Sequence, residues 1–185
     1  MKEAIELLPG AFHVPLPRFA DARGEFVKTH AVSALARLGI AFELREAFYS
    51  VSHRDVIRGM HFQTPPHDHD KIVYCADGAA LDVLLDLRPG ATYGAVRSVR
   101  LDATTPSLVF APRGIAHGFR ALADHTMMFY QVSTEHAPAN DAGVRWDSFG
   151  FDWVQGEPFG AAPIVSDRDR AHPAFADVVT PFGHA

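Results

Sequence analysis

The feature that most constrains this chain is a series of short apolar runs, each closed by a turn signal. "ALDVLLDLRPG" places Leu81, Val83, Leu85 and Leu87 on one face and Asp82 and Asp86 on the other, and Pro89-Gly90 closes the run. "GAVRSVRLD" alternates less regularly, with Val96 and Val99 flanking charged positions. "SLVFAPRG" stops at Pro112 and Gly114, and "TMMFYQVS" spans Thr126 to Ser133. Asp77-Gly78 and Pro106 add further turn signals. Many short strands punctuated in this way predict an all-β fold, a sandwich or barrel of jelly-roll type.

Two segments depart from the strand pattern. "THAVSALARLGI" predicts a short N-terminal helix with Thr29 as N-cap and Gly39 as its stop. From Gly156 onward the chain is rich in Pro, Gly and Asp and predicts an irregular tail, which in a compact domain must pack over something. At 185 residues the chain suits one well-filled core, so residues 1–185 are read as a single domain. Phe occurs 14 times, which predicts an aromatic-rich core.

Charge and composition exclude several classes of function. The net charge of −5 argues against a dedicated nucleic-acid surface, although a local basic pocket for an anionic small molecule remains compatible with it. No apolar run approaches the roughly 20 residues that span a bilayer. The start, "MKEAIELLPG", lacks an apolar signal core. Cys75 is the single cysteine, so no internal disulfide forms. The expectation is a soluble cytoplasmic protein.

The chemistry-bearing residues cluster in "VIRGMHFQTPPHDHDKIVYC". On a strand, Met60 and Phe62 share one face and His61 takes the other, with Gln63 beside it. Arg58 lies an odd number of positions from His61, so a kink at Gly59 is needed to bring both to one pocket. A histidine on an inner barrel face is a candidate general base, since its reference pKa near 6.5 suits proton transfer at neutral pH. The plainer alternative is a hydrogen-bonded core histidine. His67 and His69 have the H-x-H spacing of half a metal site, and His117 in "PRGIAH" could supply a third ligand. Metal-binding cupins add a Glu a few residues after the H-x-H, and none stands here; "KIVYCAD" follows instead. Lys71 could stabilise an enolate oxygen or be a solvated strand-end lysine. Tyr130 could be a phenol acid or a barrel-lining tyrosine. Asp169, in the tail, could orient a histidine or sit in a surface turn.

Together these stretches resemble the nucleotide-sugar 3,5-epimerases, typified by dTDP-4-dehydrorhamnose 3,5-epimerase. The resemblance rests on "DARGEF", "IRGMHFQTPPHDHDKIV", "LDVLLDLRPGATYG", "FAPRGIAHGF", "FYQVS", "GVRWD" and "PIVSDRD", which occur in order from Phe19 to Pro173. It implies a cupin-type β-jelly roll without a metal, needing no cofactor and usually a homodimer. It implies His61 as the general base, Asp169 as its paired carboxylate, Tyr130 as proton donor on the opposite face of the sugar, and Lys71 as the enolate's cation. Arg23, Arg58 and His117 match positions that contact the substrate or its diphosphate. Asp141 stands where the family often has Glu, and Arg168 where Lys is common, so both are assigned to substrate binding.

The resemblance is less close at the positions that tend to contact the nucleotide base. Lys28 replaces a usual Glu, Glu46 and Phe48 replace a Q-x-N pattern, and Glu135-His136 replaces an aromatic pair. The expectation is a nucleotide other than dTDP, or a modified sugar. A metal-dependent cupin oxygenase or isomerase using His67, His69 and His117 is the alternative.

Overall fold

The structure is a computed structural model and describes residues 3–183. The strands predicted from alternation form, and they sort into two facing antiparallel sheets of a jelly roll. The first six strands are β1 (Ile5–Leu8), β2 (Ala11–Pro15), β3 (Arg18–Asp21), β4 (Gly24–Val27), β5 (Glu46–Ser52) and β6 (Ile57–Gln63). They are followed by β7 (Lys71–Asp77), β8 (Ala79–Asp86), β9 (Val96–Asp102), β10 (Ser107–Ala111), β11 (Ile115–Ala121), β12 (Thr126–Val132) and β13 (Asp141–Gly143). One sheet has the order β1-β2-β10-β7-β12-β5 and the other β13-β6-β11-β8-β9; β3 and β4 form a separate hairpin. No helix among the described residues is long and apolar enough to cross a membrane.

Three apolar layers hold the sheets. Between them lie Val73, Leu84, Val109, Phe119 and Met128. On the outer face of the five-stranded sheet lie Met60, Phe62, Val83 and Leu85, covered by Trp153, Val165 and Phe182 from the C-terminal segment. The tail is therefore packed over a sheet, as its length required, and aromatic residues of the segment before it interlock there, with Trp153 edge-on to Phe151. On the outer face of the six-stranded sheet, Ile72, Leu108 and Phe110 pack against Leu35 and Ile40.

Leu35 belongs to the early helix, which is shorter than expected, and Ile40 follows it. α1 spans Val32–Ala36, its N-cap is Ala31, and no side chain caps it. Thr29 stands too early to cap because His30 is already committed: its Nδ1 lies 2.7 Å from Gln131 Oε1 on β12. The chain cannot turn into a helix until it leaves that contact. Gly39 does end the segment, with φ of +75°. The tail is not wholly irregular either. It holds one helical turn, α2 (Asp167–Arg170), capped when the Asp169 N–H donates to Ser166 Oγ.

The alternation in β8 is as expected, but the face that carries its aspartates is not solvent. Asp82 and Asp86 point between the sheets and are fully buried, while Leu81, Val83 and Leu85 face the tail. Asp86 is held by the Arg88 guanidinium at 2.7 Å. A second ion pair pins the tail: Arg120 Nη2 lies 2.6 Å from Asp55 Oδ1, and Arg120 also donates to the carbonyls of Trp153, Glu157 and Pro158.

Candidate active site

Strand periodicity decides which polar side chains enter the space between the sheets. In β7, Lys71 shares the inward face with Val73 and Cys75. In β12, Tyr130 shares it with Met128. In β11, His117 shares it with Ile115 and Phe119. In β6, His61 faces inward while Met60 and Phe62 face the tail. Lys71, Tyr130, His117 and His61 line one cavity of about 300 Å³ together with Arg58, Asp141 and Arg168.

Arg58 and His61 reach the same cavity because β6 is bulged at Gly59. His117 pairs with His61, yet Phe119 pairs with Arg58, so β6 spends one residue more than β11 between the two pairs. Gly59 has φ of +128°, in the region that favours glycine. A Cβ there would lie 2.5 Å from Gly118 Cα. The kink required by the sequence spacing is thus present and depends on two glycines meeting.

His61 is held from behind. Its Nε2 lies 2.8 Å from Asp169 Oδ1, and the other carboxylate oxygen accepts the Gly59 N–H at 3.1 Å. Burial alone would raise the Asp169 carboxyl, but the His61 hydrogen bond and charge and the Gly59 amide outweigh it and hold it at about 2. An ionised Asp169 fixes hydrogen on Nε2 and leaves the Nδ1 lone pair free. His172, which the sequence reading passed over, stands edge-on to His61 with ring centroids 5.7 Å apart.

His117 forms a second, deeper pair: its Nε2 lies 2.7 Å from Asp82 Oδ2, and both side chains are buried. Burial lowers the His117 pKa, helped by the charges of Lys71 and His61, and only partly opposed by Asp82. Asp82 was missed because an alternating strand normally sends its carboxylates to water. Burial also pulls Lys71 down to about 8, against the attraction of Asp82 and Asp141. Its ammonium has no hydrogen bond to protein among the described residues, so its donors are free for a ligand. Burial pushes the Tyr130 phenol well above its ordinary value, so the group is protonated at neutral pH. Its hydroxyl shares a 3.3 Å hydrogen bond with Ser50 Oγ, and its ring stacks on Phe48 at 4.8 Å.

Two anchors stand at the rim. Arg58 Nε donates to Ser52 Oγ, and Arg168 pairs with Asp141 at 2.6 Å. Arg23 is not brought to the cavity. It sits in the β3–β4 turn, almost fully exposed, and pairs with Asp21. The supposed metal set does not converge either. His67 contributes its backbone carbonyl to Gln63 Nε2 at 2.8 Å, and His69 Nδ1 faces Gln63 and Thr134. Burial, with the charges of Lys71, Arg113 and His136, holds His69 neutral with a pKa of about 3. Among the described residues, the ligand-type side chains that approach within 4.8 Å of one another are His61, Asp169 and His172, and the set His67, His69 and His117 is not among them.

The chain is similar to known proteins along most of its length. The sequence model of the family described as dTDP-4-dehydrorhamnose 3,5-epimerase matches residues 6–177. A dTDP-4-dehydrorhamnose 3,5-epimerase from Mycobacterium tuberculosis is 36% identical over 177 residues, covering 92% of this chain and 86% of that protein. A dTDP-4-dehydrorhamnose 3-epimerase from Streptomyces niveus is 35% identical over 167 residues, covering 88% and 78%. Among solved structures, an epimerase from Mycobacterium tuberculosis superposes with a TM-score of 0.89 at 35% identity, covering 95% of this chain and 90% of that one.

Proposed function

Because the chain belongs to the dTDP-4-dehydrorhamnose 3,5-epimerase family, we propose that its cavity inverts C3, C5 or both of a nucleoside-diphosphate 4-keto-6-deoxy sugar. The enzyme is an isomerase of deoxysugar biosynthesis. The observation that carries the residue assignment is that His61 and Tyr130 stand on the two facing sheets. A sugar ring held between the sheets meets a base on one face and an acid on the other.

The steps balance without a redox partner. The hydrogens on C3 and C5 are acidic because each lies next to the C4 ketone. His61 Nδ1 takes one of them as a proton; the C–H electrons form a C=C bond to C4, and the ketone oxygen becomes an oxyanion. Lys71, protonated and partly desolvated, stabilises that charge. The Tyr130 hydroxyl then returns a proton to the opposite face, and the C4 carbonyl re-forms with the centre inverted. Solvent resets the protonated His61 and the phenolate. Asp169 keeps hydrogen on His61 Nε2 throughout. Arg58, Arg168, Asp141 and His117 position the substrate, the arginines being suited to a diphosphate through their forked donors.

Arg23 has no place in this cavity within one chain. We assign it to the cavity of a second copy in a homodimer. The exposed Phe19 and Phe26 of the hairpin and Tyr49 and Val51 of the edge strand β5 support such an interface. A monomer by light scattering at assay concentration overturns this. A nucleotide-sugar substrate also favours the cytoplasm. Glu46, Phe48 and His136 line the cavity, and Glu46 Oε2 accepts the His136 N–H at 2.7 Å. Together with Lys28, they favour a nucleotide other than dTDP or a modified sugar, a reading overturned if a dTDP-sugar clearly outcompetes CDP-, GDP- and UDP-sugars.

The central test is incubation with NDP-4-keto-6-deoxy sugars in D₂O, followed by NMR. Deuterium appearing at C3, C5 or both establishes the reaction and its position. No exchange with any such sugar overturns it.

A further inference from the structure

His172 presents a buried polar atom that the epimerase chemistry does not use. Its side chain is 12% exposed, and its Nε2 is buried without a hydrogen-bond partner among the described residues. Such groups are rare, because an unsatisfied buried donor or acceptor is costly. The chain makes room for it: Gly143 pairs with His61 across β13 and β6, and a Cβ on Gly143 would collide with the His172 ring. The imidazole therefore fills a slot directly beside the base, with its Nε2 3.8 Å from Asp169 Oδ1.

We propose that His61, Asp169 and His172 form a binding site for a divalent transition metal ion, zinc above all, and that its occupation switches the base off. Two imidazoles and one carboxylate are a donor set that suits such ions. A tetrahedral zinc about 2.0–2.2 Å from each ligand needs them roughly 3.3–3.5 Å apart. Two of the separations here, 2.8 Å and 3.8 Å, bracket that range, and all three ligand atoms lie within 4.8 Å of one another. Arg168, on the same helical turn, is paired with Asp141, which offsets its repulsion of a cation.

The inhibition rests on the reading of His61 as the base. Without metal, Asp169 keeps hydrogen on Nε2 and Nδ1 is the basic atom. A metal ion takes the Nε2 lone pair, and the neutral ring must then carry its hydrogen on Nδ1. The atom that faces the substrate changes from acceptor to donor, so proton removal stops. The sugar pocket itself is unchanged, so kcat falls while KM holds.

The test uses the full chain without a histidine tag. Zinc binding is measured by calorimetry, with cobalt absorption reporting coordination. One zinc per chain is expected, with affinity weakened about tenfold or more in His172→Ala and in His172→Gln. His69→Gln should leave it unchanged. Zinc should suppress deuterium exchange in the wild type, EDTA should restore it, and both His172 variants should keep metal-free exchange and resist zinc. No binding, or binding that survives in whichever His172 variant folds, overturns the site. Binding that depends on His172 but leaves wild-type exchange intact overturns the inhibition. Absence of exchange without metal overturns the epimerase reading, while calorimetry still decides the site.

Discussion

His61 and His117 are Cα partners on adjacent antiparallel strands, and each gives its Nε2 to a different carboxylate. The His61 side chain is 29% exposed and the His117 side chain 3%. Only His61 combines an oriented imidazole with an open approach. Replacing His61 by Ala should lower deuterium exchange by roughly 10²–10⁴-fold, the usual contribution of a general base, without unfolding the protein. Exchange at the wild-type rate in a folded variant removes His61 from that role.

Asp169→Asn tests the tautomer argument. The amide can donate to His61 Nε2, which puts hydrogen on Nδ1 and removes the base from a ring that has not moved. A fall in kcat of about 10²-fold or more is expected, with KM little changed. Equal losses in kcat and in thermal stability would instead make Asp169 a structural anchor.

Tyr130→Phe separates the two half-reactions. The base still removes a proton, so exchange with retention persists, while inversion slows by roughly 10²-fold. The ratio of washed-in deuterium to inverted product should therefore rise. An unchanged ratio assigns the acid elsewhere.

Lys71 sets a pH limit. Its folded pKa is depressed to about 8, so the ammonium is present below that value and is lost as pH rises through it. The kcat/KM profile should fall on its alkaline side near pH 8, and Lys71→Arg should move that limb upward by keeping the charge. A flat profile to pH 10 excludes Lys71 as the cation.

Arg120→Met tests what fastens the tail. It leaves Asp55 buried without its cation and three carbonyls without their donor. Removing one partner of a buried pair costs roughly 3–5 kcal/mol. For a chain of this length the melting temperature should drop by about 10 °C. Because Asp169 sits on the same tail, activity should fall at temperatures below the main transition. Unchanged melting shows that the tail is fastened elsewhere.

Much of this was legible in the sequence, because period-2 alternation is a local rule. It put His61 opposite Met60 and Phe62, and it showed that Arg58 could join His61 only through a kink at Gly59. What alternation cannot say is which face is wet. Asp82 and Asp86 follow the rule yet point inward, since their partners His117 and Arg88 are supplied by sheet pairing and a turn. Arg23 was read by likeness alone, and its hairpin stands apart from the cavity of its own chain. Thr29 failed as a cap because His30 is held by a residue 101 positions away. His172 lies in a stretch without periodicity, and only the missing side chain of Gly143 marks its place.

The tail has one more consequence, in the order of assembly. Every strand of the two sheets is laid down by Gly143, whereas the carboxylate that holds the His61 ring arrives at Asp169. A chain leaving the ribosome can close its barrel before it has any chemistry to perform. Until the last segment wraps back, a keto sugar entering the cavity meets an imidazole free to turn and to hold its hydrogen on either nitrogen. On the proposed assignment of base and carboxylate, the docking of this segment is what readies the cavity for proton transfer.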